Sequence, residues 1–207
     1  PYTTLFRSGG GAIDRADIDV VTNGSVINNG ILRGRDSLAV NADNLTNTAT
    51  GVIAGGSGMR LDLNGDLSNL GKIISAGTLR LIAADLVANS GLIQSEGQLE
   101  LKADVLENTG ANTKIVSGGG LTIEASARLD NMLGRIQALG PLILRTSGTL
   151  TNTSGAIETT GDLHISATDL VNSALAGTDG GTIAGDSGVR LDLNGDLSNL
   201  GKIISAG

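Results

Sequence analysis

Apolar and polar residues in this chain follow a pattern that recurs about every 20 residues. In residues 51–70, GVIAGGSGMRLDLNGDLSNL, the pattern consists of Ile53, Met59, Leu61, Leu63 and Leu67, followed by Asn69. Equivalent units begin at residues 30, 71, 91, 113, 134, 155, 181 and 201. Because self-similarity at a fixed period is the signature of a repeat architecture, the chain is interpreted as a stack of units.

Within a unit, the apolar residues of the longest block alternate with polar ones. Leu101, for example, lies between Glu100 and Lys102. This alternation predicts a strand with one buried face, and the Gly-x-Ile start and Leu-x-Asn end of each unit predict two further short strands. No stretch has helical periodicity. Since no single unit can bury its own apolar face, the units have to stack, which predicts an all-β parallel β-helix (β-solenoid) with about 20 residues per coil and roughly nine coils.

The largest variations in the length of the units fall at one place. Spacings between successive starts are 21, 20, 20, 22, 21, 21, 26 and 20 residues, and the two largest excesses fall at residues 109–112 and 173–180. Both lie between the Asn of one unit and the start of the next. We therefore expect the extra residues to leave the coil at a single corner, as in a solenoid.

An asparagine closes nearly every unit. This column comprises Asn47, Asn69, Asn89, Asn108, Asn131, Asn152, Asn172 and Asn199, and Asn28 holds the same place in the first, imperfect unit. Stacked amides can hydrogen-bond along the rod, which is the structural interpretation. The functional alternative is a glycosylation or ligand ladder. Three glycosylation sequons occur, at Asn23, Asn44 and Asn152, and two of them lie outside the column, which favours the structural interpretation.

Composition and charge exclude several classes of function. The chain has 207 residues, 32 of them Gly, with 1% aromatic residues, no Cys and a formal net charge of −7. An acidic chain without a basic stripe argues against nucleic acid as a partner. No apolar run reaches the length that membrane insertion requires, and the lack of Cys excludes a disulfide framework.

The two ends of the sequence differ from its interior. Residues 1–8, PYTTLFRS, contain the only Tyr and the only Phe and read as the in-frame translation of a common sequencing adapter, so we expect them to be an artefact. Residues 9–29 form a degenerate or incomplete first coil, and residues 30–207 carry the regular repeat. Residues 60–77 recur letter for letter as residues 190–207. This duplication predicts that the sequence is a piece of a longer gene, truncated at both ends.

Residues that could carry chemistry are few. His164 is the only histidine and is predicted to point outward, so it is not expected to form a catalytic or metal site by itself. The segment from Asp62 to Asp66, repeated from Asp192 to Asp196, has some likeness to a calcium loop but has Ile where a bidentate Glu is needed. The outward column of Arg60, Arg80 and Glu100 is interpreted as a charge ladder on a solvated face. We expect no catalytic, cofactor-binding or metal-binding residues and no cofactor.

Over residues 30–207 the order Gly-x-Ile, Leu-x-Leu-x-Ala and Leu-x-Asn resembles the filamentous haemagglutinin repeat. The resemblance implies a right-handed parallel β-helix that forms the shaft of a secreted, cell-surface adhesin or contact-dependent growth-inhibition effector of a Gram-negative bacterium. It also implies export through an outer-membrane two-partner-secretion transporter. A receptor on a host cell or a neighbouring bacterium would be contacted through regions absent here. The family's Asn-Pro-Asn secretion motif is not found, so the segment is expected to be an interior piece of shaft rather than an enzyme.

Two enzymatic alternatives also use parallel β-helices. A polysaccharide lyase or hydrolase needs clustered charged residues at one level of the rod and usually aromatic platforms for sugar rings, and both features are missing from the repeat. A hexapeptide acyltransferase needs a six-residue period, which the 20-residue unit does not supply. The polysaccharide-acting enzyme is kept as the disfavoured alternative.

Overall fold

A computed structural model describes residues 6–8 and 10–207. Over these residues the chain forms 25 β-strands and no helix. All pairings between the strands are parallel, and one isolated antiparallel bridge joins Thr109 to Leu133. The predicted parallel β-helix is therefore confirmed, and each regular coil contributes three strand segments.

The strands stack into three sheets that run the length of the rod. The first sheet contains the beginnings of β2 (Ala12–Val21) and β4 (Ile31–Ala42), then β6 (Val52–Gly55), β9 (Lys72–Ser75), β12 (Leu92–Ser95), β14 (Lys114–Ser117), β16 (Arg135–Ala138), β19 (Ala156–Thr159), β22 (Thr182–Gly185) and β25 (Lys202–Ser205). The second contains the ends of β2 and β4, then β7 (Gly58–Leu63), β10 (Thr78–Ala83), the beginnings of β13 (Leu99–Asn108) and β15 (Leu121–Asp130), and β17 (Leu142–Arg145), β20 (Asp162–Ala167) and β23 (Gly188–Leu193). The third contains β1 (Phe6–Ser8), β3 (Ser25–Asn28), β5 (Asn44–Asn47), β8 (Leu67–Asn69), β11 (Leu86–Asn89), the ends of β13 and β15, and β18 (Thr149–Thr153), β21 (Asp169–Ser173) and β24 (Leu197–Asn199).

The core consists of aliphatic columns that run between the sheets. One column, paired residue to residue through successive coils and fully buried, is formed by Leu61, Leu81, Leu101, Ile123, Leu144 and Ile165. Between these positions the second sheet turns charged side chains outward, as the alternating pattern predicts. Each buried Leu or Ile contributes about 1.5–3 kcal/mol relative to an exposed one. Stability is consequently distributed along the rod rather than concentrated in one place.

The first described coil departs from the regular register. Between the two halves of the pairing, β4 has two residues and β2 has one, so that Arg15 pairs with Gly34 and Asp17 with Ser37. The short strand β1 pairs with β3. Residues 1–5 and residue 9 lie outside the described residues, and the origin of residues 1–8 stays a prediction.

The asparagine column is buried and continuous. From Asn28 to Asn172 each member is fully buried, and its Nδ2 donates to the Oδ1 of the next member at 2.7–2.9 Å, with Asn199 accepting the last of these bonds. Each Nδ2 also donates to a backbone carbonyl of the following coil at 3.1–3.3 Å. The predicted hydrogen bonding along the rod is confirmed. Burial of Asn152 places its sequon out of reach of glycosylation.

The glycine that opens many units is required by this column. A Cβ at Gly134 would overlap with the carbonyl oxygen and the side-chain amide of Asn108. Side chains larger than hydrogen are therefore excluded where the backbone passes directly over the ladder. The unit that begins at Thr113 follows the insertion at residues 109–112, and there the hydroxyl of Thr113 bonds instead to the carbonyl oxygen of Thr109 at 2.9 Å.

Candidate functional site

Charged side chains on the outer face of the second sheet form a continuous network. In order along the rod, its members are Arg60, Asp62, Arg80, Glu100, Lys102, Glu124 and Arg145. Asp62 lies between Arg60 and Arg80 and pairs with both, so its carboxylate offsets the repulsion between the two guanidinium groups. Glu100 lies 3.2 Å from both Arg80 and Lys102. Since these side chains are 22–61% exposed, solvent screens each pair and its contribution to stability is expected to be small.

Lys102 pairs with two carboxylates of this network. Its Nζ lies 3.0 Å from Glu124 and 3.2 Å from Glu100. The hydrogen bond to Glu124, followed by that to Glu100, raises the pKa of Lys102 above its ordinary value. Lys102 therefore remains charged at neutral pH. Its local chemistry favours a structural ion pair over proton transfer.

His164 points outward, as its position in the sequence predicts. Its Nε2 lies 2.7 Å from Asp192 Oδ2, and the Nε of Arg190 donates to the same carboxylate at 2.9–3.0 Å. The hydrogen bond from Arg190, and then that from His164, lowers the pKa of Asp192 below its ordinary value. All three groups lie on the outer face of the second sheet, in β20 and β23.

Replacing Arg190 with Gln is expected to raise the pKa of Asp192 back towards its ordinary value, because the largest stabilising contact of the carboxylate is removed. A lowered pKa stabilises the fold above the pKa of the unfolded chain, and this contribution disappears as the pH falls through the folded-state pKa. The measurement is a pH titration of the Asp192 carboxyl carbon by NMR. His164→Gln is the matched control and should give a smaller rise, whereas an unchanged pKa in Arg190→Gln would contradict the assignment.

The segment with a likeness to a calcium loop is occupied by internal contacts. Asp62 is paired with two arginines, Asp66 Oδ1 accepts a hydrogen bond from the backbone N–H of Leu86 at 3.0 Å, and Asn64 Nδ2 donates to Asp43 at 3.2 Å. Over the described residues no three His, Cys, Asp or Glu side chains are grouped so as to hold a metal ion. The carboxylates of this segment act within the turn and the ion-pair network.

A groove of about 420 Å³ lies where the third sheet passes into the first. One wall is formed by outward side chains of the first sheet, from Lys114, Arg135, Ala156 and Thr182. The other wall is formed by the loops that precede these strands and includes Ala111, Leu133, Ser154 and residues 178–180. We call this feature the corner groove. Both predicted insertions, at residues 109–112 and 173–180, contribute to it, which confirms that they leave the coil at one corner.

The loops of the corner groove are joined to one another by hydrogen bonds. Gly110 donates to the carbonyl oxygen of Met132, Leu133 to that of Thr153, and Ser154 to that of Ser173, at 2.9–3.0 Å. The hydroxyls of Ser154 and Thr178 are 2.6 Å apart, and Leu175 donates to Ser154 Oγ at 2.9 Å. The loop wall is thus a connected structure extending over several coils.

Backbone conformation in the corner groove is unusual. Among the described residues, the only non-glycine residues with positive φ are Leu133, at 60°, and Ser154, at 51°. Both line the groove. Such conformations cost of order 1–3 kcal/mol and are retained only where the surrounding structure imposes them.

The two insertions are predictable from the sequence, but the groove is not. Their position was visible in the spacing of the units, whereas the concavity depends on how four successive loops bond across coils. Lys114 and Arg135 did not indicate a groove either, because single cations are common at outward positions of a strand. A second hollow, of about 580 Å³, lies on the second sheet beside Arg80, Glu100 and Pro141, and it is bounded by regularly spaced strand positions.

Over the described residues, no helix is long and apolar enough to cross a membrane.

Comparison with known proteins identifies a repeat family. The family model described as haemagglutinin repeat matches residues 7–71, 60–131, 95–154 and 116–201. A deoxyribonuclease CdiA of Dickeya dadantii (strain 3937) is 27% identical over 219 residues, which cover 95% of this chain and 6% of that protein. A toxin CdiA of Escherichia coli is 28% identical over 230 residues, and a tRNA nuclease CdiA of Escherichia coli (strain NC101) is 29% identical over 241 residues. Each of these two alignments covers 99% of this chain and 7% of the relative. No solved structure matches the chain.

Proposed function

The chain belongs to the haemagglutinin-repeat family, and from this premise we propose that it is a segment of the shaft of a secreted exoprotein on the surface of a Gram-negative bacterium. The shaft would hold a distal binding or toxic region away from the cell. The observation that carries the proposal is the constant strand register. Successive coils pair in the same register, share one inward aliphatic column and continue the same buried asparagine ladder. Such a stack supplies length and stiffness by repetition.

The toxin and nuclease names of the relatives describe those whole proteins. This chain spans only 6–7% of their length. We propose that the segment itself is not an enzyme and that any toxic or receptor-binding activity of the parent belongs to other regions. From the membership of the family we also propose that its partner during export is an outer-membrane two-partner-secretion transporter.

Removal of one whole coil is expected to shorten the rod without unfolding it. Deletion of residues 71–90 joins Leu70 to Gly91 and restores the order of strands, so the ends should approach by about 4.8 Å, the separation of neighbouring strands. Because the chain lacks Cys, spin labels can be placed at Thr50→Cys and Ala176→Cys. Double electron–electron resonance should give a label separation of about 29 Å in the parent and about 24 Å in the deletion, from the same strand spacing.

Deletion of residues 71–80 is the matched control. It removes half a coil, so that strands of different sheets would have to pair, and it should abolish the cooperative melt. In a full-length exoprotein that carries this segment, the whole-coil deletion should leave surface display and distal activity intact. Loss of target binding by a whole-coil variant that is still displayed normally would contradict a shaft role and assign the binding to the segment itself.

A further inference from the structure

We propose that the corner groove binds a short extended peptide that carries a carboxylate at one end and an ammonium or guanidinium group about three residues away. This inference goes beyond the shaft function and does not depend on it. The groove differs in structure from the rest of the rod. From residue 30 up to the groove the coils repeat with little change, whereas here four consecutive corners are rebuilt around a concavity of about 420 Å³, a volume within the range of ligand sites.

The wall of the groove is rigid before any ligand arrives. The loops are hydrogen-bonded across coils through Gly110, Leu133 and Ser154, and Thr178 is fixed both by Ser154 and by its own bonds to the carbonyl oxygen of Leu175. Positive φ at Leu133 and Ser154 is maintained at a free-energy cost. A shape that is held against its local preference reduces the ordering needed on binding, which favours affinity for a matching ligand.

Charge is separated along the groove. Lys114 and Arg135 occupy successive coils at one end, and Asp179 lies in the loop at the other end. Over the described residues Lys114 and Asp179 have no ion pair, and Arg135 is 2.6 Å from Glu158, which does not line the groove. Arginine has five N–H donors, so contact with one carboxylate leaves Arg135 able to bind a second. The arrangement favours a dipolar ligand, its carboxylate near the two cations and its cation near Asp179.

The length of the groove indicates the length of the ligand. Arg135 and Thr182 are separated by two coil steps, which is about 10 Å at the usual strand separation. An extended peptide rises about 3.3 Å per residue, so its two charges should be three residues apart. Thr182 offers a hydroxyl group to the polar backbone of the peptide, and the side-chain oxygens of Ser154 and Thr178, whose protons bond within the loop wall, can still accept hydrogen bonds from it. Among the described residues that line the groove there is no aromatic side chain on which a sugar ring could stack, and we therefore favour a peptide over a saccharide.

The test uses the isotope-labelled 207-residue chain and the blocked tetrapeptide acetyl-Glu-Ser-Gly-Lys-amide, followed by amide NMR shifts. We expect saturable shifts confined to residues 111–114, 133–135, 154–156 and 178–182. Lys114→Ala and Asp179→Asn should each weaken binding up to about fivefold, the effect of losing one exposed ion pair. The matched control is Lys72→Ala, which removes a lysine from the same outward column, two coils before the groove, and should leave binding unchanged.

Three results would overturn the proposal. The first is the absence of saturable shifts at millimolar peptide, and the second is an equal loss of binding in Lys72→Ala. The third is equally tight binding of acetyl-Glu-amide, which would show a simple anion site instead of a dipolar one. None of them bears on the shaft, which is tested separately by the whole-coil deletion. The thermal melt of each variant should match that of the parent, because the substituted side chains are exposed.

Discussion

Replacement of Leu101 with Asp is expected to lower the free energy of unfolding by more than about 4 kcal/mol. Leu101 is fully buried and lies between Leu81 and Ile123 in the aliphatic column. The substitution removes about 1.5–3 kcal/mol of apolar burial. It also places a carboxylate among aliphatic side chains of the core, where removal of the charge from water is costly. Thermal and urea unfolding followed by circular dichroism would measure the loss.

Glu100→Ala is the matched control, one residue away on the opposite face of the same strand. Glu100 is paired with Arg80 and Lys102, but its side chain is 38% exposed. Loss of these pairs should change the free energy of unfolding by less than about 1 kcal/mol. Comparable destabilisation by the two substitutions would show that the inside and outside of the second sheet have been assigned wrongly.

Replacement of Asn108 with Leu should be the second most damaging change, at about 2–4 kcal/mol. Leucine has nearly the same size but cannot hydrogen-bond, so the oxygen of Asn131 and the carbonyl of Arg135 lose their donor. The amide of Asn89 loses its acceptor in the ladder as well. Hydrogen exchange of backbone amides, read coil by coil, should show the largest loss of protection in the coils that flank residue 108.

Asn112→Leu provides the control for this substitution. Asn112 is exposed in the insertion at residues 109–112, and its replacement should alter stability by no more than about 0.5 kcal/mol. An equally small change in the free energy of unfolding for Asn108→Leu would show that the buried amides only fill space at the corner. The ladder would then contribute nothing to the stacking of coils.

The coil and its core could be predicted from the sequence because both depend on local alternation. Leu101 faces inward and Glu100 outward for the same reason that every second residue of a strand changes face. The asparagine ladder was also predictable, because equivalent side chains of identical units are aligned once the units stack. Because every unit has the same pattern, the structure predicted for one 20-residue unit applies to the whole rod.

The remaining features depend on contacts between residues that the repeat does not relate. Asp62 reaches both Arg60 and Arg80 because of side-chain conformations, which the order of charges does not specify. The conformation of Leu133 follows from bonds that its loop makes with neighbouring corners, although leucine itself disfavours positive φ. The corner groove is therefore found only in the folded chain.

The asparagine hydrogen bonds also give the rod a direction. From Asn28 to Asn172, each amide nitrogen of the described ladder donates towards the coil that follows in the sequence, and Asn199 accepts the last of these bonds. Every coil consequently presents a donor on its leading face and an acceptor oxygen on its trailing face. Two such faces are complementary only when leading meets trailing, so coils can add to one another head to tail but not head to head. The aligned amide dipoles make the rod a polar filament with two chemically different ends.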